Sequence, residues 1–167
     1  DRLAGQSQFG ERGVAVAGAA GNGAVVFPRQ SAGGPQGAAF PGLEAANQAL
    51  LLQGNGGFVN IGNPVGPALT QKVTIEAWVR PDAAQAAIAN IVGRVPSIGD
   101  EDDLFLRIVD GKSVEFGSTA VENDNLVFHG VKADLPAGDL NGSTWTHLAG
   151  TFDGAKWTLY RNGVALG

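Results

Sequence analysis

The stretch KVTIEAWVR, residues 72–80, decides which kind of fold this chain can form. Its apolar residues alternate at a spacing of two with polar or amphipathic ones, among them Glu76 and Trp78. That is the spacing of a β-strand with one buried face. Pro81 follows directly, and proline cannot donate a hydrogen bond to a sheet ladder. The pattern therefore predicts a strand that ends before Pro81.

A second stretch, TWTHLAGTFDGAKWTLYRNG at residues 144–163, predicts two consecutive hairpins. Strand-like runs flank Asp153-Gly154, and a further turn is predicted at Asn162-Gly163, because such dipeptides accept the positive φ angles of tight turns. The runs LFLRIV and SVEFGS on either side of Asp110-Gly111 predict another hairpin. Short strands with turns at regular spacing are typical of a β-sandwich or a β-barrel.

Weaker signals occupy the rest of the chain. QALLLQG (48–54) and FVNIG (58–62) predict two short strands. The alanines that follow Pro81 favour helix, whereas residues 88–92 suit a strand better, so both assignments stay open there. Residues 119–142 are polar and rich in Asn, Asp and Gly, and we predict a loop for them.

Composition limits the classes of partner. The chain has 167 residues, a formal net charge of −5 and eleven scattered Lys and Arg residues, which disfavours nucleic acid because phosphate contacts need clustered cations. It contains no cysteine, so disulfides and thiolate sites are excluded. No apolar run reaches the roughly 18 residues of a membrane span, and no signal-peptide pattern opens the sequence. Because the sequence starts at Asp1 and lacks methionine, we expect a processed product or a segment of a longer polypeptide.

Residues 1–42 differ from the rest in being rich in Gly, Ala and Gln. Small side chains offer little apolar area to bury, so one interpretation is a linker or tail with two short strands, near 13–18 and 23–29. The alternative is an extension that pairs with the edge of a neighbouring sheet, in this molecule or in another. We therefore predict an N-terminal extension over 1–42 and a β-sandwich over 43–167.

Five motifs between about Ala49 and Gly167 follow one another in a recognisable order. They are ALLLQGNGGFVNIG, VTIEAWVRP, NIVGR, LFLRIVDGKSVEFG and WTHLAGTFDGAKWTLYRNGVALG. Together they resemble the laminin-G-like, or concanavalin A-like lectin/glucanase, domains of bacterial extracellular proteins. The resemblance implies an all-β, antiparallel jelly-roll β-sandwich that is usually non-catalytic and binds carbohydrate or protein, often with calcium. It also implies an extracellular or cell-surface location.

Domains of this kind usually continue past the strand that ends in LYRNG, whereas this sequence stops at Gly167. The resemblance therefore implies a sandwich that lacks its C-terminal strands within this sequence. One expectation is that the missing strands lie in the rest of a longer polypeptide. Alternatively another chain, such as a second copy, supplies them, since an incomplete sheet exposes unpaired backbone N–H and C=O groups.

Oxygen-rich segments provide candidate calcium ligands, since calcium takes about six to eight oxygens and loop carboxylates can supply them. The candidates are Asp100, Asp102, Asp103 and Asp124. Adjacent acids cannot all face one ion, and the spacing of an EF-hand is absent, so a solvated loop over 100–103 is the alternative. Asn123 and Asn125 flank Asp124 and are candidate ligand-binding residues.

Catalytic patterns are absent or incomplete. Glycoside hydrolysis needs two carboxylates about 5 to 10 Å apart. Laminarinase-like relatives of this fold carry them as E-x-D-x-x-E, but Glu76 is followed two residues later by Trp78, so we expect Glu76 to pair with a cation or to lie at the sandwich edge. TFDGAKW (151–157) is similar to a sialidase Asp-box but lacks one residue, and we interpret it as a hairpin with Trp157 packed on the sheet. We predict that the domain is not an enzyme.

Aromatic side chains can bind sugars by stacking on the apolar face of a pyranose ring. The candidates are Trp78, Trp145, Trp157 and Tyr160. All of them lie within strand patterns, so we expect most of them in the core or in half-buried pairs, and Trp145 is retained as a candidate ligand-binding residue.

These observations favour a non-catalytic recognition or adhesion module of a secreted or surface protein. It would bind a glycan or an extracellular protein through the loops at one end of the sandwich, with calcium as a candidate ligand. The alternative is a structural subunit of an extracellular assembly, in which strands are exchanged between chains.

Overall fold

The alternating stretch around Trp78 is indeed a strand, and it belongs to one of two four-stranded sheets. The structure is a computed structural model that describes residues 15–18, 21–26, 29–43, 45–52, 58–60, 72–82, 85–94 and 104–167. The chain divides into two units, Asp1–Ala68 and Leu69–Gly167. No helix in the described ranges is long and apolar enough to cross a membrane.

The first unit contains two small antiparallel sheets. One is formed by β1 (Ala15–Gly18), β2 (Gly21–Val26) and β5 (Phe58–Asn60), in the order β1-β2-β5. The other is formed by β3 (Arg29–Gly33) and β4 (Gln48–Leu52). Strands of the predicted N-terminal extension thus pair with segments that follow it in sequence. The domain boundary near residue 43 stays a prediction.

The second unit contains two antiparallel sheets that pack face to face, in the orders β10-β9-β8-β7 and β13-β12-β11-β6. The strands are β6 (Val73–Val79), β7 (Ile88–Arg94), β8 (Leu104–Val109), β9 (Ser113–Glu122), β10 (Asn125–Asp134), β11 (Thr146–Phe152), β12 (Trp157–Arg161) and β13 (Val164–Ala165). A short 3-10 helix, Ala137–Asp139, follows β10 and precedes β11 in the sequence. The predicted all-β, antiparallel sandwich is therefore confirmed, and β7 resolves the helix-or-strand ambiguity in favour of strand.

The predicted hairpin turns are confirmed by their backbone angles. Asp110 and Gly111 connect β8 to β9 with φ angles of 53° and 62°, and Asn162-Gly163 connects β12 to β13 with 48° and 79°. Two successive positive φ angles match the right-handed twist of the flanking strands. At Asp153, the side-chain oxygen Oδ1 accepts hydrogen bonds from the backbone N–H groups of residues 155 and 156, both at 2.8 Å. These bonds, from Lys156 first and then from Ala155, lower the pKa of Asp153.

The prediction of a loop over residues 119–142 is wrong for residues 119–134, which form a hairpin. β9 continues to Glu122, and β10 runs back from Asn125 to Asp134. Asn123 and Asp124 form the turn between them, with φ angles of 50° and 62°. Asn and Asp tolerate the left-handed region better than other residues with a Cβ atom. The polar residues that suggested a loop are therefore only a tight turn between two long strands.

The core of the second unit lies between its two sheets, and its buried apolar members come from both. They are Leu104, Leu106, Ile108, Val114, Phe116, Leu135, Leu140, Leu148 and Leu159. The Phe116 ring packs directly against Gly150 of the facing sheet, where a Cβ atom would clash with it. Trp157 contacts the Phe116 ring edge-to-face at 5.2 Å and stacks on Phe152 at 4.3 Å. The predicted packing of Trp157 on the sheet is confirmed.

A buried ion pair fixes the connection between β10 and β11. The carboxylate of Asp139, whose side chain is 3% exposed, accepts hydrogen bonds from Nε and Nη2 of Arg161, the latter at 2.6 Å. The hydrogen bond to Asp139 raises the pKa of Arg161, so the guanidinium keeps its charge beside this carboxylate. Because a buried carboxylate needs such a partner, this pair holds the 3-10 helix against β12.

Candidate ligand-binding face

The predicted calcium ligands fall in two places. Asp124 lies at the exposed tip of the β9–β10 hairpin, where the side chain of Asn125 donates a hydrogen bond to the backbone oxygen of Asn123 at 2.8 Å. The acidic residues at 100–103 lie outside the described residues. Within the described part of the chain, no three His, Asp or Glu side chains are grouped as a metal site would require. The single carboxylate of Asp124 falls well short of the roughly six to eight oxygens that calcium takes.

Strand register brings Trp78 and Tyr160, two of the four aromatic candidates, onto the outer face of the β13-β12-β11-β6 sheet. In the β6–β11 pair, Trp78 stands opposite His147, Glu76 opposite Ala149, and Thr74 opposite Thr151. These residues alternate with core residues such as Ile75 and Leu148, so their side chains point away from the core. Register thus places a row of polar and aromatic side chains on one exposed surface.

The row continues by one pair beyond the ends of the two strands. Arg80 follows β6 and Trp145 precedes β11, and the guanidinium carbon of Arg80 lies 5.0 Å from the centre of the Trp145 ring. This distance is that of a cation–π contact. The predicted ligand-binding residue Trp145 is half-buried, with its ring covered by Arg80.

Three side chains form the centre of this surface. The Trp78 and His147 rings lie 5.1 Å apart with a tilt of 52°, and Trp78 is 37% exposed. Nε2 of His147 lies 3.5 Å from a carboxylate oxygen of Glu76, whose side chain is 66% exposed. Glu76 therefore lies beside an imidazole, and its pairing with a cation stays a prediction. The cluster presents an aromatic ring, a carboxylate and an imidazole side by side.

Ala149 creates a shallow notch beside this cluster. It stands between Glu76 on β6 and Tyr160 on β12, and its small side chain rises less far above the sheet than either neighbour. Tyr160 is half-buried and carries a hydroxyl that can donate or accept a hydrogen bond. We call the surface formed by these residues the Trp78 face. Its members are Glu76, Trp78, Arg80, Trp145, His147 and Tyr160.

The outer face of the other sheet has a different character. We call it the Arg107 face, and it consists of Phe105, Arg107, Glu115, Phe128 and Lys132. Nε of Arg107 donates a hydrogen bond to Glu115 at 2.9 Å, and its guanidinium carbon lies 3.7 Å from the centre of the Phe105 ring. Lys132 lies 3.4 Å from Glu115, and the Phe105 and Phe128 rings stack at 5.9 Å. The charges of Arg107, Glu115 and Lys132 are thus paired with one another within the protein.

Sequence reasoning found most members of the Trp78 face singly and missed that they form one surface. Glu76, Trp78 and Arg80 share the spacing of two that identified β6, so that part was available from the pattern. The contact between Arg80 and Trp145 depends on the register of two strands that are far apart in sequence, for which no local signal exists. Asn123 and Asn125, predicted to bind ligand, lie instead at the hairpin tip of the other sheet.

Comparison with known proteins identifies the family to which the architecture corresponds. The family model described as concanavalin A-like lectin/glucanases superfamily matches residues 53–167, which include every strand of the second unit. No curated protein and no solved structure matches the chain significantly. The family match therefore provides the functional class, and the choice of ligand has to be argued from the residues of this chain.

Proposed function

The chain belongs to the concanavalin A-like lectin/glucanase superfamily, and on that premise we propose that it is a non-catalytic recognition module that binds carbohydrate through the Trp78 face. We further propose that it works outside the cell, as part of a secreted or surface protein. The observation that carries the proposal is the exposed indole of Trp78 beside the Glu76 carboxylate and the His147 imidazole.

The chemistry of the face suits a sugar. A pyranose has an apolar face formed by its C–H groups, which can stack on an indole, and a rim of hydroxyls that needs donors and acceptors. The carboxylate of Glu76 accepts hydrogen bonds from two hydroxyls at once, and the hydroxyl of Tyr160 adds a donor across the Ala149 notch. A few convergent polar groups around an apolar surface are typical of small-ligand sites.

The same strands supply little for glycoside hydrolysis. β6, β11 and β12 contribute one carboxylate to the Trp78 face, Glu76, whereas hydrolysis by either stereochemical route uses two. Nε2 of His147 lies 3.5 Å from an oxygen of this carboxylate. A single carboxylate paired with an imidazole supports hydrogen bonding to a bound sugar, and this favours binding over cleavage.

The part of the proposal that involves calcium concerns the acidic residues at 100–103. We propose that Asp100, Asp102 and Asp103, with Asp124 as a further ligand, bind calcium at loops of the sandwich. Among these, the described residues include Asp124 alone. Isothermal titration with calcium tests this directly, with an Asp100→Asn, Asp102→Asn, Asp103→Asn triple variant as comparison. Heat of binding that survives in the triple variant would place calcium elsewhere.

The binding proposal is tested with a glycan array, run with and without calcium, on the intact chain and on Trp78→Ala. We expect at least one glycan to bind the intact chain and to lose about tenfold or more in affinity for the variant, because the stacking surface is gone. Phe128→Ala is the matched control, since Phe128 is an aromatic residue of the other sheet with nearly the same exposure, 39% against 37%. Equal losses in both variants, or no glycan bound in either condition, would contradict the proposal.

A second candidate function is an assembly completed by strand exchange. Among the described strands, β6 lies at the edge of its sheet with β11 as its hydrogen-bonded neighbour, and edge strands can pair with a strand of another chain. Light scattering coupled to size exclusion, at concentrations spanning about two orders of magnitude, tests this. A mass of 17.0 kDa at every concentration would count against assembly by this chain alone.

A further inference from the structure

Arg80 differs from two other arginines of the second unit in having no carboxylate partner among the described residues. Arg107 pairs with Glu115, and Arg161 pairs with Asp139. Arg80 has its contact with the Trp145 ring, but within the described residues no carboxylate lies within ion-pair distance of it. It is also half-buried, so part of its hydration is already lost. A partly desolvated guanidinium with unfilled N–H donors is a ready partner for an anion.

The Trp145 ring holds this guanidinium in place. A guanidinium that contacts an indole through its face keeps its N–H groups in its own plane, where they remain able to donate to a ligand. This planar fork matches the two oxygens of a carboxylate, and such bidentate pairs are stronger and more directional than neutral hydrogen bonds. The side-chain freedom that binding would otherwise remove is already restricted by the stack.

Charge is also distributed unequally about Trp78. Glu76 lies two residues before Trp78 on β6, and Arg80 lies two residues after it, directly past the end of the strand. In extended backbone, a separation of two residues corresponds to about 6.6 Å. That distance is comparable to the span of one sugar ring with its substituent. A sugar stacked on Trp78 therefore meets a hydrogen-bond acceptor on one side and a cation on the other.

We propose that the sugar bound by the Trp78 face is a uronic acid, with its carboxylate on Arg80 and its hydroxyls on Glu76. This inference rests on the proposed carbohydrate-binding function and specifies the ligand class. Glu76 repels the carboxylate from the opposite side, so the pair of charges fixes the orientation of the ring as well as its identity. The Trp78 face contains one arginine, Arg80, and the chain has a net charge of −5. This charge balance suits a sugar with one carboxylate better than a densely sulfated polyanion.

The experiment compares uronate oligosaccharides with their own methyl esters. Oligomers of galacturonate, glucuronate and mannuronate, each in acid and in methyl-ester form, are titrated calorimetrically into the intact chain. Sulfated oligosaccharides that contain no uronic acid are titrated in the same way. The methyl ester keeps the ring and removes only the charge. We expect at least one acid form to bind about tenfold or more tightly than its ester. Raising the salt concentration should narrow that ratio.

The variants are Arg80→Gln, Arg80→Lys and the control Lys112→Gln, which removes the same charge from the β8–β9 turn of the other sheet. Arg80→Gln should reduce the ratio of acid to ester affinity to about one, and Arg80→Lys should keep a part of it, because lysine retains the charge without the fork. Lys112→Gln should leave it unchanged. Unfolding midpoints measured alongside show that each variant is folded.

Two classes of result overturn the inference, and they are distinguishable. If neutral glycans bind through Trp78 but acid and ester forms bind equally, or Arg80→Gln weakens both forms alike, the uronate assignment is wrong while the binding face stands. Tighter, Arg80-dependent binding of sulfated sugars also overturns it in favour of a sulfate ligand. If no oligosaccharide of any kind binds, the proposed function fails together with the inference.

Discussion

The two sheets of the second unit present outer faces that contain similar residues in opposite states. Each face has an arginine over an aromatic ring, Arg107 over Phe105 on one and Arg80 over Trp145 on the other. On the Arg107 face the arginine also binds the carboxylate of Glu115, whose side chain is 11% exposed. On the Trp78 face the nearby carboxylate, Glu76, is 66% exposed and contacts His147 instead.

The difference separates stabilisation from binding. A charge that is paired inside the protein has no further capacity for a ligand, and separating it from its partner costs free energy. A charge held in position but left without an opposite charge contributes little to folding and is available to a ligand. By this criterion the paired charges of the Arg107 face contribute to stability, and the Trp78 face is the one we propose to bind a ligand, although their compositions alone would not distinguish them.

The largest expected effect comes from breaking the Arg107 face with Glu115→Leu. The change leaves Arg107, with a side chain only 16% exposed, without its carboxylate. We expect the free energy of unfolding to fall by about 3 kcal/mol, because one partner of a nearly buried pair is removed. Urea unfolding measures it. The double variant Arg107→Met, Glu115→Leu is the control, and it should recover most of the loss since no buried charge remains. A loss below about 1 kcal/mol for the single variant would contradict this assignment.

The corresponding change on the Trp78 face, Glu76→Gln, should have the opposite profile. Because Glu76 is exposed and its contact with His147 is long, we expect the free energy of unfolding to change by less than about 0.5 kcal/mol. Affinity for the sugar identified by the array should fall about fivefold, since a charged acceptor becomes a neutral one. If Glu76→Gln lowered the free energy of unfolding as much as Glu115→Leu does, the two faces would not differ in the way argued above.

The smallest effect concerns alkaline pH. Desolvation lowers the pKa of Lys132, but hydrogen bonds and attraction from Asp110 and Glu115 outweigh it, so the pKa is raised. A group with a raised pKa in the folded state contributes stability that is complete below its unfolded pKa, about 10.4, and is lost as pH rises through the folded value. Thermal unfolding between about pH 9 and pH 11.5 should therefore show a smaller decline in Lys132→Met. An identical decline in both chains would show that Lys132 is uncoupled from folding.

Local chemistry explains which parts of the fold could be predicted. The alternation around Trp78 gave β6, and the Asp110-Gly111 and Asn162-Gly163 dipeptides gave two turns, because backbone angles depend on the residues at the turn itself. The turn at Asn123-Asp124 was missed because it lacks glycine and lies in a polar context. An apolar run, Leu126 to Phe128, follows the turn directly in β10, and this run was the signal that could have revealed the second strand of the hairpin.

The candidate site was less accessible to sequence reasoning. The sequence predicted Trp145 as a ligand-binding residue and predicted that Glu76 pairs with a cation. No local sequence pattern, however, places Arg80 over Trp145 or His147 beside Glu76. Both contacts arise from the register of β6 against β11. Register between distant strands is set by the packing of the whole core, in which residues such as Phe116 and Gly150 fit together, and single-strand patterns do not contain it.

The pairing of β6 with β11 gives the Trp78 face a mechanical role. Most other strand pairs of the second unit are hairpins between neighbours in sequence, whereas this one joins segments from distant parts of the chain. A sugar that contacts Glu76 and Trp78 on β6 and Tyr160 on β12 spans β11 and clamps this long-range closure. A ligand that binds only the folded state adds RT ln(1 + [L]/Kd) to the free energy of unfolding. A glycan bound to the Trp78 face would therefore stabilise the sandwich. The domain would then resist pulling and proteolysis best while the glycan is bound.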